Sequence, residues 1–279
     1  MKFHYKANYN EHFDEKGIPL LNYHGNIGIQ YNPIAISQYG LGNYNLFVDS
    51  NDKKRLDSFL KVSDWLVSNL ELNNFNIPVW NHKFNFEYRD TLIAPWYSGL
   101  AQGLGISVLV RAFSETGNIK YRDAYEKSWI SFEKEVKDGG VIFIDSKNNY
   151  WIEEYIVNPP THILNGFLWS LWGVFDSWKI MGNKKAKDLF FKCIKTLDDN
   201  LSMYDNGYWS LYEKSNTLLP MLASPFYHKL HIVQLEIMHE MTSASFFQTY
   251  EKRWKKFESS KKNRTRALIG KSLFKILYY

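Results

Sequence analysis

Four times, at almost even spacing, the chain writes a proline and then an apolar run rich in aromatic and small residues. The runs open at Pro33 (PIAISQYGLGNY), Pro95 (PWYSGLAQGLGISVLVRAF), Pro159 (PPTHILNGFLWSLWGVFDSW) and Pro225 (PFYHKLHIVQLEIMHEM), 62, 64 and 66 residues apart. A period of that length marks a repeated supersecondary unit that buries its apolar face against its neighbours. Polar, amphipathic stretches fill the intervals. In the first, Leu56, Phe59, Leu60, Val62, Trp65, Leu66 and Leu70 recur at helical spacing with Lys and Asp between them. Each unit therefore reads as a largely buried inner helix followed by a half-exposed outer one. Gly99, Gly103, Gly105, Gly166 and Gly173 fall inside inner helices. Glycine there costs about 0.5–1 kcal/mol relative to alanine, and close helix packing is the natural compensation. Four such pairs predict a mainly α chain: an incomplete α/α toroid, with short β-hairpins between the pairs and the inner helices lining a central cleft.

The hairpins are expected where aromatics alternate after each outer helix, at VWNHKFNFEYRD (79–90), GGVIFIDSKNNYWIEEY (139–155) and NGYWSLYEK (206–214). Asp138-Gly139-Gly140 and Asn206-Gly207 are turn signals. Each piece runs into a proline-led helix, and proline suits the first helical position because the N–H it lacks would be unpaired there. The extended pieces and the inner-helix N-termini should gather at one mouth of the ring, where free N–H groups and the helix dipole favour an anionic ligand such as an acidic sugar.

Aromatic residues make up 17 % of the 279. Most Phe belongs in a large core, but Tyr and Trp keep a polar tip that wants a partner, and an excess of both suits a surface that grips sugar rings. The single cysteine, Cys193, excludes a disulfide framework and a cysteine-based metal site. No HExxH, phosphate loop, GxGxxG or Ser-His-Asp order is present, and no cofactor or metal is expected. From Lys252 onward ten Lys/Arg face one acid, Glu258, giving +9, whereas residues 1–251 sum to −4. The body is therefore no nucleic-acid binder by charge. The N-terminus has no signal-peptide pattern and no apolar run is long enough to span a membrane, so the expected location is cytoplasmic.

The extended pieces end in acid–tyrosine pairs, Glu87-Tyr88, Glu154-Tyr155 and Tyr212-Glu213, and the fourth inner helix opens Phe226-Tyr227-His228. One tyrosine alone is usually structural. Tyrosines placed repeatedly at one mouth beside carboxylates or histidines are candidates for proton transfer, provided that nearby cations stabilise the phenolate. Lys214, His228, Lys229 and His231 are candidate stabilisers. His228 and His231 lie three apart on a helix, but without a pair of carboxylates a hydrogen-bonding role is the better default than a metal site.

These stretches resemble the C-terminal catalytic domain of the D-glucuronyl C5-epimerases, enzymes that convert glucuronate to iduronate in heparan-type polysaccharides. The matching segments are AISQYGLGNY, WYSGLAQGLGISVLVRAF, DGGV, WIEEY, ILNGFLWSLWGVFD, YDNGYWSLYE, YHKLHIVQL and FQTYEKRWKKF, in order from about residue 33 to 257. The resemblance implies an α/α toroid and assigns catalysis to Tyr155, with Glu154 preceding it, and to Tyr212 and Tyr227. It implies proton removal at C5 of a uronate and return on the opposite face, Tyr155 and Tyr227 serving the two faces and Tyr212 a relay. Sugar contacts fall to Gln38, Tyr39, Trp96, Tyr97, Gln102 and Asn165, and the charge developed in the reaction to Arg111, His228, His231 or helix N–H groups. Three departures leave the polymer open: Ile156 replaces a proline, Ser215 an arginine, and Ser224-Pro225-Phe226 an Arg-Trp-Asp. The cationic contact to the substrate carboxylate would then pass to Lys214 or Lys229.

The expected organisation is an N-terminal strand-and-loop segment (1–30), the toroid (31–258) and a basic amphipathic tail (259–279). ALIGKSLFKILYY (267–279) has two readings: a helix packed back on its own body, or an interfacial helix holding the protein peripherally at an anionic membrane. Besides a glucuronate-containing polysaccharide, a second copy of the chain is a candidate partner. Two other functions compete with the epimerase: a uronate polysaccharide lyase, sharing C5 proton abstraction, and a non-catalytic glycan-binding protein.

Overall fold

Asn32 places its side-chain oxygen on the N–H groups of Ile34 and Ala35 and so starts the first inner helix. The computed structural model, which describes residues 3–88, 90–215 and 217–278, then repeats one helical pair four times. The pairs are α1 (Pro33–Ser50) with α2 (Lys53–Ser68), α3 (Gly99–Thr116) with α4 (Ile119–Trp129), α5 (Leu164–Met181) with α6 (Lys184–Asn200), and α7 (Pro225–Thr242) with α8 (Ser245–Ser259). All four inner helices are 18 residues long. Each packs on its outer partner and on the next inner helix, α1 on α3, α3 on α5, α5 on α7. The arrangement is the expected α/α toroid.

Every inner helix stops in the same way. Asn51, Gly117, Gly182 and Ser243 take left-handed conformations, with φ of 55°, 65°, 66° and 58°. The chain is reversed at once, and in three cases the next residue caps the outer helix: Asp52, Asn118 and Asn183 accept from the N–H groups of Lys54, Lys120 and Ala186. The stops are 66, 65 and 61 residues apart, so the turn between helices punctuates the repeat. The prolines do so only in part. Pro33 and Pro225 take the first helical position, but Pro95 and Pro159 do not. After Pro95 the chain first pairs as a strand and is capped by Ser98; after Pro159 it runs four more residues before α5.

The inner glycines serve close packing. A Cβ on Gly103 would lie 2.5 Å from the Cα of Ser170, and one on Gly173 would lie 2.2 Å from the carbonyl oxygen of Gly103. Helices α3 and α5 touch backbone to backbone there, at a separation no other residue permits. The main core then fills the layer between inner and outer helices, with Phe59, Val62, Trp80, Phe167, Phe190 and Trp254 all buried.

Short antiparallel pairs occupy the other end of the ring. The N-terminal segment forms β1 (His12–Phe13), β2 (Pro19–Asn22) and β3 (Ile29–Gln30). Next come β4 (Glu71–Leu72) with β5 (Pro78–Val79), β6 (Asn81–His82) with β7 (Trp96–Tyr97), and β8 (Ile142–Ile144) with β9 (Tyr150–Ile152). The third extended piece forms isolated bridges, Asp205 with Ser210 and Leu211 with Leu222, in place of a hairpin. These pieces stitch the repeat together across units. Gly99 at the start of α3 donates its N–H to Glu153 at 2.8 Å, and Leu164 at the start of α5 donates to Tyr212 at 3.1 Å.

The tail is a helix, α9 (Lys261–Tyr278), packed back on the body against α8 and the 208–223 segment. It buries Ala267 and Phe274, and leaves Leu268, Ile269, Leu273, Ile276 and Leu277 exposed. Among the described residues no helix is long and apolar enough to cross a membrane.

Candidate functional site

At the mouth formed by the extended pieces, tyrosines from four separate segments meet two carboxyl groups. Strand β9 runs straight into the first of these. Glu153 turns inward to His162, pairing with its Nδ1 and accepting its backbone N–H at 3.1 Å. Glu154 lies flat on α5, where a Cβ on Gly166 would sit 2.0 Å from Glu154 Oε2. Only glycine leaves room for that carboxyl group, and Asn165 donates to it at 3.4 Å. Tyr155 follows, half-buried against Tyr88 (ring centroids 4.7 Å apart), Trp96 (5.8 Å) and Phe86 (6.0 Å).

Tyr212 is locked by its own backbone, donating to Met221 and accepting from Leu164. Its ring meets that of Tyr227 edge-on at 4.9 Å. Tyr227 is held in the first turn of α7, its N–H donating to the capping oxygen of Ser224 at 3.3 Å. Tyr88 donates its phenol to Glu213.

Burial dominates the electrostatics. It pushes Glu154 up to about 8, helped by the charge of Glu213 and opposed by a hydrogen bond from Tyr155. Burial, and then the neighbouring Glu154, raise Tyr155 and Tyr212 well above the usual phenol range and lift Tyr227 to about 12. At neutral pH the three phenols are therefore protonated, and Glu154 has a proton affinity far closer to a phenol than an ordinary carboxylate has.

The structure brings together Glu154, Tyr155, Tyr212, Tyr227, Asn165 and Trp96, as the sequence suggested. Trp96 also donates to Phe84 and stacks on His82. Other expected contacts lie elsewhere. Arg111 is in the second half of α3, at the opposite end of the ring, where it grips Asp176 with both terminal nitrogens at 2.5 and 3.0 Å. They border a cavity of about 210 Å³ lined also by Leu41, Leu104 and Met241. Gln102 holds both backbone groups of Trp80, so it braces the 80–82 segment. Tyr97 points its hydroxyl at Gly140. Gln38 is buried in α1, and Tyr39 packs on Phe13 of the N-terminal segment.

The histidines also need correction. His228 and His231 are buried and share the hydroxyl of Ser210 at 2.8 and 3.0 Å, while His228 also contacts the carbonyl of Trp254 and stacks on Trp209. Burial lowers them to about 4 and about 3, so they are neutral braces between the 206–214 segment, α7 and α8. Lys214 lies over Trp151, near Asp145, and Lys229 is exposed on α7. Nor are the inner-helix N–H groups free as expected: Asn32, Ser98 and Ser224 cap them, and Gly99 and Leu164 donate to the neighbouring unit.

Three residues of the cluster escaped the sequence reading as site residues. Tyr88 and Glu213 were legible only as members of the repeated acid–tyrosine pairs. Lys271, from α9, lies with its ammonium 5.7 Å from the ring centroid of Tyr212, and no spacing in the sequence connects the two.

The comparisons bear on the family and the fold. The family described as D-glucuronyl C5-epimerase C-terminus matches residues 73–256. A D-glucuronyl C5-epimerase of Caenorhabditis elegans is 33 % identical over 196 residues, covering 64 % of this chain and 31 % of the relative. This chain thus corresponds to about a third of that protein's length. An uncharacterised protein of Methanocaldococcus jannaschii is 26 % identical over 245 residues, covering 82 % of this chain and 78 % of its own. Among solved structures, cellobiose 2-epimerase from Spirochaeta thermophila superposes with a TM-score of 0.56 at 10 % identity, over 78 % of this chain and 56 % of that one. That likeness is one of fold.

Proposed function

The chain belongs to the D-glucuronyl C5-epimerase C-terminal family, a family of carbohydrate epimerases, and from that premise we propose that it inverts C5 of D-glucuronate residues in a polysaccharide to L-iduronate. The observation that carries the reading is the convergence of Tyr155, Tyr212 and Tyr227 on one buried carboxyl group, Glu154.

The chemistry needs a base on one ring face and an acid on the other. A phenolate takes the C5 proton, and the C–H electron pair moves into the uronate carboxylate to give an enediolate. A phenol on the opposite face then protonates C5. The base ends as a phenol and the acid as a phenolate, so the reverse reaction begins from the product state without further change. Such symmetry requires groups of matched proton affinity. Tyr155 and Tyr227 are the pair assigned to the two faces. Glu154 is hydrogen-bonded to Tyr155; in the minority of molecules in which it is ionised, its raised proton affinity suits it to take up the phenol's proton, leaving the phenolate, and to return it afterwards. Tyr212, between Tyr227 and Lys271, is assigned to proton relay or to a sugar oxygen. The side-chain oxygen of Asn165 has no hydrogen-bond partner among the described residues, which suits it to a sugar hydroxyl.

The test is incubation with heparosan-type polymer in deuterated water. Deuterium at C5 of the uronate with the chain intact supports the reading. An unsaturated, ultraviolet-absorbing product would show elimination instead, and no incorporation on any uronate polymer would leave a binding protein.

A further inference from the structure

The geometry points to Lys271, on the C-terminal helix, as the residue that binds the uronate carboxylate and offsets the negative charge developed at the tyrosine cluster. The inference rests on the epimerase reading above and adds to it a cation from beyond residue 256, where the family match ends.

Helix α9 is built to deliver this one side chain. Ala267, Phe274 and Tyr278 lie four before, three after and seven after Lys271, all on the same face. Ala267 and Phe274 are fully buried, and Tyr278 accepts the N–H of Leu218 at 3.1 Å. At Gly270 a Cβ would come within 2.7 Å of Leu222, so the helix approaches the 208–223 segment closely beside the lysine. Lys271 is the charged residue in the middle of an otherwise packed stripe. Its ammonium donates to the Leu222 carbonyl at 3.0 Å and stands over the ring of Tyr212. Glu213 is close enough to favour its charge, while Lys275, one turn on, opposes it.

A half-buried position between Ala267 and Phe274 is ordinarily filled by Leu or Met, and a bond to one carbonyl does not require a charge. Burial lowers the proton affinity of Lys271, the cost of placing an ammonium there. The reaction supplies the reason for bearing it. A uronate carboxylate, an enediolate and a phenolate each add negative charge to a site whose phenols burial has already made reluctant to ionise. The arginine expected three residues after Tyr212 is Ser215, and the neutral histidines, Arg111, Lys214 and the capped helix ends do not serve the cluster. Among the described residues, Lys271 is the ammonium that stands against one of its phenols.

The experiment compares wild type with Lys271→Met and Lys271→Arg. C5 deuterium exchange on the accepted polymer is measured beside binding of free glucuronate and its uncharged methyl ester, with thermal melts as the folding control. Loss of one preorganised charge contact of this type lowers turnover by about 10²-fold or more. The expected result is that Lys271→Met melts normally, loses exchange by that factor and no longer prefers glucuronate to its ester, while Lys271→Arg retains part of both. Exchange and acid-over-ester preference unchanged in Lys271→Met would overturn the role of Lys271 and leave the epimerase reading standing. Absence of exchange in the wild type on every uronate polymer would remove the epimerase reading and this inference with it.

Discussion

Glu154 Oε2 occupies the place a side chain on residue 166 would take: a Cβ there would stand 2.0 Å from that oxygen and 2.7 Å from Glu154 Cβ. The carboxyl group at the centre of the tyrosine cluster is thus positioned by an absence of atoms on α5. Gly166→Ala should displace Glu154, costing about 1–3 kcal/mol in stability and most of the deuterium exchange. Denaturant unfolding with exchange measured well below the transition checks both, and a variant with normal exchange would contradict the placement.

The raised proton affinity of Glu154 predicts a pH signature. The unfolded carboxyl group ionises near its ordinary 4.5, whereas the folded one does so at about 8. Between these values the folded state holds a proton that the unfolded chain has released. Its contribution is complete below pH 4.5 and is lost as pH rises toward 8, at about 1 kcal/mol per unit. Glu154→Gln should lack this decline. Unfolding free energies of wild type and variant from pH 5 to pH 8 should converge or cross, and parallel curves would refute the assignment.

Tyr155→Phe and Tyr227→Phe each remove one of the two proposed proton carriers and leave the ring in place. Each should lower exchange by about 10²–10⁴-fold, the usual worth of a general acid or base, with melting little changed. Nuclear magnetic resonance of the C5 position reads the rate directly. If either variant exchanged at the wild-type rate, its tyrosine would not be a proton carrier.

Arg111 belongs to the far end of the ring, so its replacement should act on stability alone. Arg111→Met leaves Asp176 without its bidentate partner, and breaking a largely buried ion pair from one side costs about 3 kcal/mol. The KM for polymer should stay at the wild-type value below the melting range. A large rise in KM without loss of stability would return Arg111 to the substrate.

The fold was readable because it repeats. Inner helices declared themselves by apolar runs with glycines, and Gly103 and Gly173 do bring two backbones together. The prolines gave the right period partly by coincidence, since Pro95 and Pro159 only precede the helices. The sharper mark, overlooked in the sequence, was the left-handed stop followed by an Asx cap at Asn51-Asp52, Gly117-Asn118 and Gly182-Asn183. The tyrosines were legible because their segments recur. Arg111, His228 and His231 could not be placed, because a helix shows its period in sequence but not which end or face meets a partner 20 or 65 residues away. Lys271 was hidden more deeply, in a tail whose charges mask the half-buried one that faces the cluster.

The hydrogen bonds from Gly99 to Glu153 and from Leu164 to Tyr212 tie the start of each of these inner helices to a segment made later. On the ribosome, α3 would therefore emerge with its leading end unfastened until the next hairpin follows, and α5 would wait in turn for residue 212. For these two helices closure proceeds from behind, a later segment fixing the earlier one. The tyrosine cluster is likewise closed from behind, because residues 208–223 are covered only once α9 has left the exit tunnel.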